Sequence, residues 1–220
     1  MRRSRISRRA LIAGGLFALV FPFVAPGASP AVEPLFDGRS LAGWVPSGFE
    51  GERGVRVERD FELGQAAIVI ESGTTLGGIT STLGVRLPRM NYEVAFEAMR
   101  VAGGDFFGAL TFPVENTACT LVLGGWGGTV VGISSVDGVD ASGNETTREK
   151  EFADRRWYRV RVRVTPGRIA AWIDETNVVD LATEGRRLSL RPGDIQKARP
   201  LGISTYMTKA AVRAITLTRW

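Results

Sequence analysis

The chain has 220 residues, 44% apolar and 23% charged, with 27 Gly and 10 Pro. That balance is globular and excludes a disordered or collagen-like chain. The formal charge of +5 comes from Arg2, Arg3, Arg5, Arg8 and Arg9, because the 23 other basic residues meet 23 acidic ones; a global electrostatic hold on nucleic acid or anionic lipid is not supported. Histidine is absent, which removes Ser-His-Asp and Cys-His nucleophiles, imidazole proton shuttles and His-bound metals. The single cysteine, Cys119, lies in the apolar run CTLVLGG; it excludes an intrachain disulfide and is expected to be a buried structural thiol.

Residues 1–31 read as an export signal: a basic MRRSRISRR, an apolar ALIAGGLFALVFPFVA, then the small, turn-prone PGASPA. The apolar stretch contains Pro22 and falls short of the roughly 20 residues a spanning helix needs. Ser7-Arg8-Arg9-Ala10-Leu11-Ile12 is similar to a twin-arginine pattern; an ordinary secretory signal is the alternative. Cleavage after Ala28 or Ala31 fits the small neighbours, with Ala31 preferred, and no Cys follows to carry a lipid. The expected product is an exported, periplasmic or extracellular protein without a stable membrane span after signal cleavage.

Beyond the leader, short runs of period-two polarity alternate with Gly, Pro, Asn and Asp. They predict strands at Val55–Asp60, Ala66–Glu71, Ile79–Arg86, Tyr92–Val101, Phe106–Pro113, Thr120–Gly125 and Val130–Val136, then Trp157–Thr165, Arg168–Asp174, Leu201–Tyr206 and Ala211–Thr218. The clearest is Tyr158–Val164, with Val160, Val162 and Val164 on one face and Arg159, Arg161 and Arg163 on the other. Pro166-Gly167 and Asp137-Gly138 are turn signals, and the acidic stretch 137–154 reads as a long loop on the rim. No helical period and no internal repeat is visible, so residues 32–220 are expected to form a single all-β domain, an antiparallel two-sheet sandwich.

Several phrases, taken in order, resemble one family. Glu33-Pro34-Leu35-Phe36-Asp37-Gly38-Arg39-Ser40-Leu41-Ala42-Gly43-Trp44 is similar to the opening of the 3-keto-disaccharide hydrolase domain. Tyr92–Glu97 with Gly103-Gly104, Trp157–Val162, Arg168–Asp174 followed by Val178-Val179-Asp180, Arg199–Ile203 and Val212–Ile215 extend the likeness over most of residues 33–220. The resemblance implies a concanavalin A-like or laminin G-like jelly roll, related in shape to family 16 glycoside hydrolases. It also implies a carbohydrate ligand and cleavage of 3-keto-glycosides by elimination or hydration. The absence of His and the Gly-Gly-Trp-Gly-Gly segment depart from the family's usual pattern.

Ordinary glycoside hydrolysis needs two carboxyl groups about 5–9.5 Å apart. Glu93 and Glu97 share a strand face but stand about 13 Å apart at 3.3 Å per residue, and the Glu-x-Asp-x-x-Glu motif of family 16 enzymes is absent. Elimination from a 3-keto-glycoside asks less, because the keto group acidifies the C2 hydrogen and one base with one enolate-holding group suffices. Without His the base is an Asp, Glu, Tyr or Lys; Lys150, Lys197 and Lys209 sit in loop-like contexts, which favours a carboxylate, and Glu97, Asp105 and Glu145 are the candidates, with a solvated outer face for Glu97 and a turn role for Asp105 as the alternatives. Arg161 and Arg163 are candidate substrate donors, with a solvated strand face as the alternative. Trp126, between paired glycines, is a candidate sugar-stacking ring, whereas Trp172 reads as core. Asp140 and Asn144 complete an oxygen-rich group with Glu145 that could hold sugar hydroxyls, but its spacing matches no calcium loop. Neither a metal nor a cofactor is expected. The alternative function is a catalytically silent carbohydrate-binding or adhesion sandwich.

Overall fold

The computed structural model describes residues 30–62 and 64–220. The expected leader over residues 1–31 therefore falls, except for Pro30 and Ala31, outside the described residues. Among those described, fifteen strands follow one another: β1 (Ala31–Pro34), β2 (Trp44–Pro46), β3 (Val55–Phe61), β4 (Gln65–Ile70), β5 (Leu76–Ser81), β6 (Tyr92–Ala102), β7 (Ala109–Val114), β8 (Thr117–Gly125), β9 (Val130–Ser134), β10 (Arg148–Glu149), β11 (Trp157–Thr165), β12 (Arg168–Ile173), β13 (Thr176–Ala182), β14 (Gly202–Tyr206) and β15 (Lys209–Arg219). They form two antiparallel sheets. The eight-stranded sheet runs β13-β12-β11-β6-β15-β4-β3, with β1 also paired to β15, and the seven-stranded sheet runs β10-β9-β8-β7-β14-β5-β2. This is the antiparallel two-sheet sandwich that the alternating runs predict and the jelly roll that the family resemblance implies.

The eight-stranded sheet shows why alternation specifies the fold. In β11, Val160, Val162 and Val164 are wholly buried against Val94 and Phe96 of β6 and Ile169, Ala171 and Ile173 of β12, and the intervening arginines stay on the outer face. A one-residue slip would bury three guanidinium groups, so the pattern fixes the register. Trp172 is a correction: it alternates with buried Ala171 and Ile173 and lies on the outer face, where the Arg161 and Arg163 guanidinium carbons stand 4.7 and 5.4 Å from its ring. The arginines lift an indole that apolar neighbours suggested was core.

The seven-stranded sheet is different. Every residue of β7 and β9 is buried, as are Ala118–Gly125 of β8, so both faces of this sheet are covered. Leu110, Phe112, Cys119, Leu121, Leu123 and Ile133 face the interior, while Val122 and Val130 form a separate buried group with Ala141, against which Phe106 packs. Burial pushes the Cys119 thiol up to about 12, consistent with a structural thiol.

The opening phrase that carries the family resemblance is a structural device. Asp37 accepts the N–H groups of Arg39 and Ser40 at 2.7 and 2.8 Å and the Ser40 hydroxyl at 2.9 Å, and Trp44 donates its indole N–H to the Leu35 carbonyl at 2.7 Å. The turn thereby carries the chain from β1 in one sheet to β2 in the other. Elsewhere the expected strand Ile79–Arg86 is β5 followed by a short 3-10 turn at Gly84–Arg86, and the expected strand from Phe106 starts only at Ala109.

Candidate functional site

A strap covers part of the outer face of the seven-stranded sheet. Residues 183–200 leave β13 and cross from β9 to β5. Ser189 and Ser135 exchange backbone hydrogen bonds, Arg187 and Asp137 do the same through the Asp137 carboxylate, and Thr80 of β5 donates to the Lys197 carbonyl at 3.0 Å. The Lys197 ammonium reaches the Gly48 carbonyl at 3.1 Å, and Asp194 accepts the Glu50 N–H at 3.3 Å. A Cβ at Gly202 would stand 2.6 Å from the Ala198 carbonyl oxygen, so glycine there permits the strap's close approach to β14.

Electrostatics fasten the β9 end of the strap. The Arg187 backbone N–H and then the Arg186 guanidinium hold the Asp137 carboxyl below its ordinary value, and Asp137 and Glu145 together raise Arg186. Arg191 lies 3.5 Å through its Nε from Asp140 Oδ2, while Asp140 Oδ1 accepts the hydroxyls of Ser134 and Ser135 at 3.2 Å each.

The cleft beside the strap has a volume of about 390 Å3. Its floor is read from strand register. Thr120 of β8 lies opposite Thr111 of β7 and Ser134 of β9, with the two threonine hydroxyls 3.0 Å apart. Ala109 of β7 lies opposite Ser204 of β14, whose buried hydroxyl has no hydrogen-bond partner, and Tyr206 lies opposite Leu76 of β5. The strap supplies one wall through Arg191, Pro192, Asp194 and Ile195; Asp105, Phe106 and Trp126 supply the other. Phe106 and Tyr206 rings stand 5.8 Å apart.

Asp105 builds the aromatic wall. Its Oδ1 accepts the Phe106 N–H at 2.8 Å and its Oδ2 the Gly127 N–H at 3.0 Å, tying the turn before β7 to the turn that carries Trp126. Trp126 has φ +49, a left-handed conformation unusual for a bulky residue, and the residue is 42% exposed and lines the cleft. Two hydrogen bonds leave about two of the carboxylate's four lone-pair sites free.

The other residues singled out from sequence lie elsewhere. Glu97 is on the outer face of the eight-stranded sheet, 2.6 Å from the Arg213 Nε, and does not reach the cleft. Arg161 and Arg163 share that face and pair with Glu93 at 3.6 and 2.9 Å. Glu145 pairs with Arg186 beside the strap anchor. Asn144 is a loop pin: its Nδ2 donates to the carbonyls of Ile133, Val139 and Asp140, and its Oδ1 accepts from Thr146. Asp140 is one step behind the cleft, holding Arg191. Sequence reasoning thus reached Asp105 and Trp126 of the lining and missed Phe106, Tyr206, Arg191 and Asp194. One signal was readable: β7 and β8 are apolar at nearly every position, as for a sheet covered on both faces. Among the described residues no group of three or more His, Cys, Asp or Glu side chains could hold a metal ion, and no helix is long and apolar enough to cross a membrane.

A jelly-roll sandwich with an aromatic-walled cleft across one sheet is the class that fold and site define. Within it, the chain belongs to the family of the 3-keto-alpha-glucoside-1,2-lyase-like domain, whose model matches residues 31–218. Among solved structures, a carbohydrate-binding module, CBM66, from Bacillus subtilis is similar with a TM-score of 0.51 at 13% identity, over 80% of this chain and 95% of that one. The Crh5 transglycosylase in complex with NAG is similar at 0.53 and 9% identity, over 87% and 84%. Domain 4 of AbnA, a GH43 extracellular arabinanase from Geobacillus stearothermophilus solved with arabinotriose, gives 0.50 at 12% identity, over 80% and 82%. These likenesses concern the fold. No curated protein matches the chain in sequence. The family match places the chain in a carbohydrate-related role.

Proposed function

We propose that this chain is an exported protein that takes a 3-keto-glycoside in the cleft of the seven-stranded sheet and cleaves it by elimination, with Asp105 as the base. The observation that carries the reading is the opposition of walls: aromatic rings with one carboxylate on one side, the Arg191 guanidinium on the other. An indole face stacks on the C–H face of a sugar ring. The Asp105 carboxylate takes the C2 proton, the electron pair moves into the C2–C3 bond, and the C3 oxygen becomes an enolate facing the guanidinium donors. Collapse of the enolate restores the C3 carbonyl, forms the C1–C2 double bond and breaks the bond from C1 to the aglycone oxygen. That oxygen leaves with the proton Asp105 took, so the carboxylate is regenerated and no oxidant is consumed. Export rests on the basic, apolar and small-residue succession of residues 1–31.

One observation favours a silent binding module instead: both Asp105 oxygens already hold backbone N–H groups, a structural task. Incubation with a 3-keto-glycoside separates the two. Release of aglycone, lowered about a hundredfold or more in Asp105→Asn with binding kept, supports elimination. Binding without release identifies a binding module, undiminished release in the variant removes Asp105 as base, and no binding removes the carbohydrate reading of the cleft. N-terminal sequencing of secreted protein checks the leader; a retained Met1 in the secreted chain would refute it.

A further inference from the structure

The cleft is not uniform along its length, and the difference bears on what the glycosidic bond joins. It extends over neighbouring strands in the order β9-β8-β7-β14-β5, from Ser134 to Leu76. Four strand spacings of about 4.8 Å give roughly 19 Å, longer than one pyranose ring. At the β9 and β8 end the lining includes Ser134, Thr120, Arg191 and Trp126 beside one apolar side chain, Val122: two hydroxyls, a guanidinium and an indole face, the groups one sugar ring uses. At the β14 and β5 end it is Tyr206, Leu76 and Ile195, with the Phe106 ring tilted beside that of Tyr206. Asp194 also lies there; its Oδ2 accepts the Glu50 N–H and stands 3.4 Å from the Lys197 ammonium, so its Oδ1 and the Tyr206 hydroxyl are the polar atoms of this end. A second sugar placed at this end would find only those two groups for its several hydroxyls and would set the rest against apolar side chains, where each unpaired one is costly. A flat apolar group would instead cover leucine, isoleucine and aromatic surface that is otherwise left to water.

We infer that the cleft selects glycosides with an aryl or similarly flat apolar aglycone, seated over Tyr206, Leu76 and Ile195, rather than disaccharides. The inference deepens the proposed function and rests on it, since it assumes that the sugar ring occupies the Trp126 and Arg191 end.

The test uses the Asp105→Asn full chain and calorimetric titration with three probes, the 3-keto derivatives of methyl glucoside, phenyl glucoside and a glucosyl-glucose. The phenyl compound should bind at least about tenfold more tightly than the methyl compound, and the disaccharide no more tightly than the methyl compound. Tyr206→Ala should remove most of the phenyl advantage, so that the phenyl and methyl compounds bind within about twofold of one another. Leu76→Asn, at the far end of the same wall, should do the same and guards against a misfolded first variant. Equal or tighter binding of the disaccharide overturns the aglycone inference while leaving the carbohydrate cleft standing, as does a phenyl advantage that survives both variants. Failure of all three probes to bind removes the cleft reading itself, and this inference with it.

Discussion

Trp126 offers the sharpest separation of a ligand-contacting ring from a structural one, because backbone and side chain make opposite demands at that position. Its φ of +49 costs an L-residue about 1–2 kcal/mol, which glycine escapes. Glycine in turn forfeits about 0.4–1 kcal/mol through the freedom of its unfolded chain, so Trp126→Gly should be more stable than Trp126→Ala by about 0.5–1 kcal/mol. The residue is 42% exposed. A fully buried aromatic removes about 150–250 Å2 from water; the covered part here, at about 25 cal/mol per Å2 and discounted for a compact unfolded state, is worth about 2 kcal/mol. Trp126→Ala should therefore cost about 2 kcal/mol and Trp126→Gly about 1 kcal/mol, the difference appearing as about 1–4 °C in melting temperature for a domain of this size. Both variants should lose sugar binding by calorimetric titration. A loss of 3–5 kcal/mol in the alanine variant would mark the ring as core, the opposite order of stabilities would remove the backbone argument, and undiminished sugar affinity in either variant would take Trp126 out of the site.

Two further outcomes follow from the electrostatics and the core. The Asp137 carboxyl is held below its ordinary 3.8 by Arg187 and Arg186; a depressed folded value contributes stability that is complete above the unfolded value and lost as pH falls through the folded one. Protection of residues 183–200 from proteolysis or hydrogen exchange should accordingly fade below about pH 3.8 and be weak at all pH values in Asp137→Ala; protection that is independent of both would show that the strap does not depend on this anchor. Cys119, wholly buried with its thiol raised to about 12, should resist iodoacetamide at pH 8 in the native chain and react once urea unfolds it. Rapid native labelling would place it outside the core.

The fold was legible where one face of a strand meets the core and the other meets water. Tyr158–Val164 and Tyr92–Val101 announced β11 and β6 because every second residue is apolar, and the pleat converts that period directly into a face. Legibility failed where the polarity of the outer face was masked. Trp172 looked like core because its sequence neighbours are apolar, and only the arginines of the adjoining strand show which way its ring points. Thr176–Ala182, which became β13, was visible only through a family phrase, since Thr176-Asn177 and Asp180 break the apolar run. The long 137–154 segment carries no strand-like period because Asn144 and Thr146 pin it with side-chain hydrogen bonds to the backbone, an order that alternation does not encode.

The candidate site was legible in proportion to how local its construction is. Asp105 and Trp126 were found because turn chemistry is written in adjacent residues: an aspartate before two phenylalanines, a tryptophan among glycines. Their partners were not found because the cleft joins residues distant in sequence. Arg191 and Asp194 reach it only by way of the strap, and Tyr206 meets Phe106 across one hundred positions; the Tyr206 N–H bonds the Phe106 carbonyl at 3.0 Å. Carboxylates chosen for their strand pattern went the other way. Glu97 alternates so cleanly with Phe96 and Ala98 that it had to face outward from the sandwich, and in the eight-stranded sheet outward means a flat field of ion pairs with Arg213, Arg163 and Arg161 nearby. A catalytic base needs a cleft to face as well as a free lone pair. In this fold the concave outer face belongs to the sheet whose strands are apolar on both sides, so the sequence marker for the site is a loss of alternation in β7 and β8, with the functional groups supplied by the turns and the strap that border them.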